Sequence, residues 1–552
     1  MRDLAQVQRT EYDVIVIGGG INGAGVARDA AIRGLNTILV EKSDFASGSS
    51  SWSSRLIHGG LRYLEYFEFP LVRESLKERE VLLRTAPHLV TPLQLTIPIY
   101  RDRSRPYWKI WAGMILYDIF SYDKTLPVHR MLPQKKFKQL FRSLDAENLA
   151  GGSQYYDGQV TLAERLCLEN IISAQNAGAV ALNYMEVIEL PIKESRITDL
   201  ICKDKLTGEM ITISGSKDAV IVNTAGPWID QVCQRGSKGG KKSPIGKTKK
   251  NGGTKGSHIV VDQFPGAPGS TLYVEAKSDG RPFFIIPWLG KYLIGTTDIP
   301  YKDDIDNIKA DNTEIDYLLQ EVNNVIPTAK LERDDVQFTY SGVRPLPNSE
   351  GKKPGSITRK HIIFDHRQEG VKNLFSLIGG KLTTYRNVGE EMVDAILKRM
   401  KRSSKPCKTD VLPLPGCILP SDRRIQRAIN EYEASLSINT IDHLFSVYGV
   451  RAIEILALTK ENPALGEPIA PNLLDIKAQI VYAIQNESAH NLVDILRRRT
   501  TLAMNGDYGM NLLPVVTETL QKYCGWNQEQ CDRACTEYRF YMEHNCIPDY
   551  QL

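Results

Sequence analysis

Residues 12–25 read YDVIVIGGGINGAG, a continuous β-branched run at 14–17 that passes straight into glycines and then into a helix-forming stretch. A run without polar alternation is the pattern of a strand covered on both faces in a parallel sheet. Gly18, Gly20 and Gly23 stand at G-x-G-x-x-G spacing. In such a turn the first glycine permits the tight bend, the second lets a pyrophosphate approach the backbone, and the third lets helix and strand pack closely. The phosphates then meet free N–H groups at the helix N-terminus. Residues 22–33 supply that helix, Gly34 ends it, and residues 37–40 give a second strand that stops at Glu41. A carboxylate about 20 residues beyond the glycines is placed to accept hydrogen bonds from ribose hydroxyls. The glycines alone are a weak signal, but strand, glycines, helix, strand and acid in order describe a dinucleotide-binding unit.

Length and charge narrow the rest. A chain of 552 residues has room for roughly two to four domains. Its net charge of +4 is too small to argue for nucleic acid, and no basic helix with interleaved aromatic residues supports that reading. Nine cysteines without a C-x-x-C argue against a disulfide framework and a zinc ribbon, and Cys524, Cys531, Cys535 and Cys546 match no metal motif. Residues 1–11 are polar, without a secretory apolar core or an arginine-rich transit helix, so a reducing compartment is expected. No uninterrupted apolar stretch reaches the roughly 18 residues of a spanning helix. Residues 106–122 (PYWKIWAGMILYDIFSY) combine Trp108 and Trp111 with Lys109 and apolar residues, a composition that suits an interfacial helix or a core helix.

Along the chain, residues 43–55 (SDFASGSSSWSSR) lead directly into LIHGGLRYLE at 56–65; small hydroxyl residues and a paired glycine suit backbone passing close to a cofactor. A helix is expected over 71–83, a strand over 91–100, a solvated basic helix over 135–143, and a longer helix starting over 157–172. Residues 187–215 read as hairpin strands joined at Thr207 and Gly208. Residues 219–223 (AVIVN) form another buried strand, and it leads into TAGPW, a second chain crossing near the dinucleotide. Residues 235–256 are rich in glycine and lysine (Lys238, Lys241, Lys242, Lys247, Lys249, Lys250, Lys255) and are expected to be mobile and solvated, as a surface loop or a tether for anionic lipid or phosphate. Strand patterns at 258–261, 283–288, 292–298 and 336–345 predict a sheet-rich second domain. A third buried strand at 373–378 runs into GGKLTTYR and a helix reaching about residue 399. A helix N-terminus there would face the negative charge that a flavin gains at its N1 edge on accepting hydride. Residues 401–415 read as a linker, and helices at 423–432, 441–448, 452–458, 474–485, 492–499 and 512–524 make 416–552 an all-helical domain.

The blocks VIGGGINGAGVARDAAIRGL, SSRLIHGGLRYLEYFEF, NTAGPW, KGSHIVV, IPW with IGTTD, TYSGVRPL and GGKLTTYR resemble those of the FAD-dependent, respiratory glycerol-3-phosphate dehydrogenases. The resemblance implies an α/β plus α fold: a Rossmann-like FAD domain with a β-sheet substrate cap similar to D-amino-acid oxidase, then the helical domain. The FAD domain spans 1–400, with the cap mainly within 62–150 and 255–350. It implies oxidation of sn-glycerol 3-phosphate at C2 to dihydroxyacetone phosphate, hydride passing to FAD and electrons to membrane quinone. It also implies a peripheral membrane protein, commonly a dimer, on the cytoplasmic face of the plasma membrane or on the inner mitochondrial membrane. That favours a membrane-facing role for 106–122. Around FAD the expected residues are Gly18, Gly20, Ile21, Asn22 and Gly23; Glu41 and Lys42; Ser50, Ser51 and Ser54; His58, Gly59 and Gly60; Ala225, Gly226 and Trp228; and Gly380, Lys381, Leu382 and Thr383.

A phosphate dianion calls for guanidinium or ammonium groups in a partly dry site. Arg62, Arg344, Arg359 and Lys381 are the candidates for that clamp and for polarising the oxygen at C2. Alcohol oxidation also needs a base as hydride leaves. His258 at the start of a cap strand is the first candidate and His58, also near the substrate, the second. The closest alternative is an oxidase of the same family, cytoplasmic, passing electrons to oxygen and releasing peroxide. A flavin-binding regulator would need no phosphate clamp, and a nicotinamide enzyme would explain neither Thr224 to Pro227 nor Gly379 to Thr384.

Overall fold

The computed structural model describes residues 3–238, 241–242, 244–349, 357–403 and 405–552. Two sheets organise it. The first is built on five parallel strands, Val180–Leu182, Thr37–Val40, Glu11–Ile17, the second half of Met210–Asn223, and Leu374–Ile378. In register, Ile17 lies between Val40 and Asn223, and Asn223 pairs with Ser376, so the strand ends line up along one edge. The β-branched run is buried on both faces as its pattern requires. Val14 and Val16 pack against the helices Ile21–Ile32, Ala163–Asn176 and Tyr385–Met400. Ile15 and Ile17 face the antiparallel strands of 185–213, which turn at residues 204–209.

The second sheet takes its ten strands from 56–57, 90–160 and 254–344. Ile259, Val261, Ile285 and Ile294 point to the helix Asn312–Val325, while Val260, Ile286, Leu293 and Phe338 point to helices of the C-terminal part. The sheet is therefore sandwiched, and one of its faces is covered by a different stretch of chain. Beyond residue 415 the observed elements are helical, with one helix the sequence pattern did not suggest, Gln528–Asn545.

Two expectations are corrected. The strand Leu149–Val160 continues through Asp157, and the helix begins only at Ala163. Asp157 can lie in a buried strand because Arg79 Nη1 (2.6 Å) and the Tyr117 hydroxyl (2.7 Å) satisfy its carboxylate. The lysine-rich segment 235–256 is not simply solvated. Lys250 is buried against Glu369 (3.1 Å), and Lys255, in the strand Thr254–Val261, pairs with Glu314 (2.7 Å). Residues 239–240 and 243 of that segment lie outside the described residues. The basic helix Gln134–Leu140 keeps Lys135 and Lys136 exposed, as expected, and buries Phe137 on its other side.

The C-terminal helices are tied to the rest by buried ion pairs. Glu164 receives Arg55 (2.7 Å) and Arg497 (2.6 Å), Glu487 receives Arg165 (2.6 Å) and Arg451 (3.0 Å), and Asp44 receives Arg498 and Arg499 (both 2.7 Å). The flanking guanidinium groups hold the Glu164 carboxyl down to about 2 despite its burial.

Candidate active site

A cavity of about 670 Å³ opens where the parallel strands end, the position at which open α/β sheets bind ligands. Gly18, with φ of +110°, ends the first strand; a Cβ there would lie 2.8 Å from the Thr224 carbonyl oxygen, so the two crossings touch through this glycine. At Gly23 a Cβ would fall 1.9 Å from the Gly18 oxygen, the close packing asked of the third glycine. The helix Ile21–Ile32 starts at Gly20 with no side-chain cap, and the Ile21 N–H donates to Ser50 Oγ at 2.9 Å. Beside it, Asn22 Oδ1 is buried without a hydrogen-bond partner among the described residues. Gly380, at φ +96°, brings the second glycine turn so near that a Cβ would meet Asn22 Nδ2 at 3.1 Å. The glycine cradle and the helix N-terminus fit a dinucleotide diphosphate, while the orphaned Asn22 Oδ1, an acceptor, calls for a donor on the same ligand, such as a hydroxyl.

Glu41 lines the cavity and also braces it, accepting from the N–H groups of Gly19 (2.7 Å) and Ser43 (2.9 Å), while burial pushes its carboxyl up. Lys42 and the Trp228 indole both reach Asp306 Oδ1, at 2.6 and 2.7 Å, closing one side. Ile21, Ser50, Ala225, Gly226, Leu382 and Thr383 line the same space. Ser51, Gly59 and Gly60, like Gly23, stand behind the lining. Ser51 donates to the Ala46 carbonyl. Gly59 leaves room for Tyr117 and Leu76, either of which a Cβ would strike within 2.6 Å, so that glycine serves helix packing.

At the other end of the cavity the cations gather. Arg344 Nη1 donates to Asp298 Oδ1 at 3.0 Å, and its Nη2 donates to Thr296 Oγ1 (3.1 Å) and the Thr297 carbonyl (3.2 Å). Arg359 Nη2 reaches the other oxygen of Asp298 at 3.5 Å. One carboxylate thus orients two guanidinium groups and leaves an excess of positive charge. Lys381 Nζ donates to Ser75 Oγ at 2.8 Å and sits 4.6 Å over the Tyr63 ring. Burial brings this ammonium down to about 7. Arg62 stands to one side, 5.9 Å over Tyr66, outside the lining.

His258 and Ser54 share a 2.8 Å hydrogen bond through Nε2, and the imidazole stacks on Tyr340 with centroids 4.7 Å apart. Its Nδ1 is buried without a partner among the described residues. Burial, reinforced by Arg344 and Arg55, holds this histidine well below its usual range, hence neutral. His58 is also neutral, brought down to about 3 by burial and then by Lys381.

The structure therefore gathers His58, His258, Arg344, Arg359 and Lys381 around one cavity with the glycine turns. Sequence reasoning overlooked Asp298 and Tyr63, although both lie inside blocks it quoted (IGTTD and LRYLE). It also had no signal for Asn491, Arg498, Tyr541 and Asn545, which join the lining from the helical part of the chain.

Comparison with known proteins agrees with this geometry. Residues 13–394 match the family described as FAD dependent oxidoreductase, and residues 407–531 match the C-terminal domain of alpha-glycerophosphate oxidase. A glycerol-3-phosphate dehydrogenase from Synechocystis sp. is 60% identical over 100% of both chains. An aerobic glycerol-3-phosphate dehydrogenase from Staphylococcus haemolyticus is 32% identical, covering 99% of this chain and 97% of its own. The crystal structure of the glycerol-3-phosphate dehydrogenase from Bacillus halodurans complexed with FAD superposes with a TM-score of 0.78 at 29% identity, covering 98% of this chain and 96% of that one.

Proposed function

Since the chain belongs to the family of FAD-dependent glycerol-3-phosphate dehydrogenases, we propose that it oxidises sn-glycerol 3-phosphate at C2 to dihydroxyacetone phosphate and delivers the electrons to membrane quinone. The observation that carries this reading is the Arg344–Asp298–Arg359 set and Lys381 in one cavity with a neutral, buried His258. Bound FAD supplies the hydride acceptor.

The residues divide the work. Arg344, Arg359 and Lys381 take the phosphate, whose charge replaces water around groups already partly desolvated; charge-assisted contacts of this kind are worth about 1.5–3 kcal/mol each. Arg62 at the rim adds to the attraction. His258 receives the C2 hydroxyl proton at Nε2, the nitrogen beside Ser54, which stacking on Tyr340 holds in place. A neutral imidazole is the form that can do this. Asp298 fixes the arginine forks before substrate arrives, so little ordering remains to be done on binding.

The helix Tyr107–Phe120 supports delivery at a membrane surface. Trp108 is 69% exposed, Trp111 50%, Ile119 57% and nearby Tyr122 78%, with Phe67 beside them at 77%. Ile110, Met114 and Tyr117 form its buried side. Aromatic residues flanked by the exposed Lys109 and Arg101 are what an interfacial helix presents to a leaflet. Among the described residues no helix is long and apolar enough to cross a membrane.

A second reading, an oxidase using oxygen, is favoured by the match of 407–531 to an oxidase domain. The deciding experiment reduces the purified holoprotein anaerobically with sn-glycerol 3-phosphate, then adds either a soluble quinone or oxygen. Bleaching by this substrate and not by glycerol, with rapid reoxidation by quinone and slow peroxide release, is expected. Rapid peroxide release would replace the dehydrogenase by the oxidase, and an unbleached flavin would remove the substrate.

A further inference from the structure

The helical part of the chain reaches the cofactor cavity at its Glu41 end. Asp44, fully buried just after Glu41, accepts from Arg498 Nε (2.7 Å), both terminal nitrogens of Arg499 (2.7 and 2.9 Å) and Asn183 Nδ2 (2.9 Å). Next to it, the Tyr184 backbone N–H donates to the Ser43 carbonyl, and the Met185 N–H to the Glu41 carbonyl. The Tyr184 hydroxyl donates to Asp494 (2.7 Å) and accepts from Asn491 (2.7 Å). The loop 43–50, which carries Ser50 to the helix N-terminus, is thus held from outside by residues 491–499.

The charges in this cluster cancel, two carboxylates (Asp44, Asp494) against two guanidinium groups (Arg498, Arg499). Its contribution to the cavity is therefore shape and not attraction for phosphate. Tyr541 and Asn545, four residues apart and so on one face of the helix Gln528–Asn545, join Arg498 in the lining. Phe540 lies on the same helix but is 59% exposed.

We propose that the helical domain is a working part of the FAD site: Arg498, Tyr541 and Asn545 wall the adenosine half, and cofactor binding and docking of this domain reinforce one another. Linkage makes the coupling reciprocal, so each event must show up in the other. The proposal rests on FAD as cofactor and not on the identity of the substrate.

The test is an FAD titration of flavin-free protein followed by flavin fluorescence. Tyr541→Ala and Asn545→Ala are expected to raise Kd about fivefold or more, Tyr541→Phe much less, and Phe540→Ala not at all. The reciprocal measurement is hydrogen exchange on the unaltered chain: amides of 490–499 and 541–546 slow when FAD is added. This second readout decides the matter should an alanine variant fail to fold. Alanine variants that fold and bind FAD within twofold of wild type, or exchange in both segments indifferent to FAD, would overturn the proposal. Wild-type protein that takes up no FAD would instead overturn the cofactor assignment, and the first titration reads that separately.

Discussion

Replacing Lys381 by methionine keeps the length of the side chain and removes one positive charge from the end of the cavity that holds Arg344 and Arg359. Burial brings the Lys381 ammonium down to about 7. A bound phosphate dianion favours the charged form and returns the group toward its ordinary value. The complex therefore holds a proton that the free protein gives up above pH 7, and affinity must fall as pH rises through that window. Well above pH 7 each unit costs about 1.4 kcal/mol, close to tenfold in Kd, and because the group is already half deprotonated at pH 7 the loss between pH 7 and 9 is about fiftyfold. At pH 7 the methionine variant forfeits one charge-assisted contact, about 1.5–3 kcal/mol or roughly 10–150-fold in Kd. Its binding is then flat from pH 7 to 9. Titrating oxidised holoprotein with dihydroxyacetone phosphate, followed by perturbation of the flavin spectrum, measures binding without turnover. A wild-type Kd constant between pH 7 and 9, or a methionine variant that keeps the slope, would refute the reasoning.

His258→Gln should lower the rate of anaerobic flavin reduction by about 10²–10⁴ with FAD content unchanged; a loss below tenfold in stopped flow would give the base another identity. Gly23→Ala drives a methyl group against the Gly18 oxygen, so flavin should be lost on purification, and a fully flavinated variant would contradict the close packing. His58, His258 and His366 all have folded values depressed by burial, to about 3, well below normal and about 4. The unfolded chain binds the extra protons, so their stabilisation is complete above about pH 6.5 and is lost as pH falls toward 4. By pH 5.5 the loss reaches up to about 1.4 kcal/mol for each, and a denaturant midpoint unchanged between pH 7 and 5.5 argues against it. Trp108→Ser with Trp111→Ser should abolish cosedimentation with anionic vesicles while leaving reduction by substrate intact; undiminished cosedimentation rules out the helix Tyr107–Phe120 as the contact.

The parallel core was legible because continuous β-branched runs ending in glycine leave few other solutions. The cap strands carried an equally plain pattern, and Arg344, Lys381 and His258 lay in short blocks of distinctive order. Several of the misses share a cause: a charged residue whose partner is distant in sequence. Asp157 looked like a helix start because nothing local announces Arg79. Lys250 and Lys255 looked solvated because Glu369 and Glu314 are far along the chain. Arg497, Arg498 and Arg499 fell within an expected helix over 492–499 with nothing to mark them as buried, although each is paired with an acid of the FAD part. Asp298 is of the same kind, read as a strand terminus when it is the hinge between two arginines.

The segment 401–415 reads in sequence as a seam between two parts of the molecule. The buried ion pairs say otherwise. A cut there would take both guanidinium partners from Asp44, Arg497 from Glu164 and Glu487 from Arg165 on one side, and leave Arg497 and Arg499 without their carboxylates on the other. Removing one partner of a buried pair typically costs about 3–5 kcal/mol, so the fragments would carry several such penalties against a total stability of about 5–15 kcal/mol. The two parts are separate in sequence but share one set of buried charges, so a fragment ending or starting at that segment is expected to be unstable on its own.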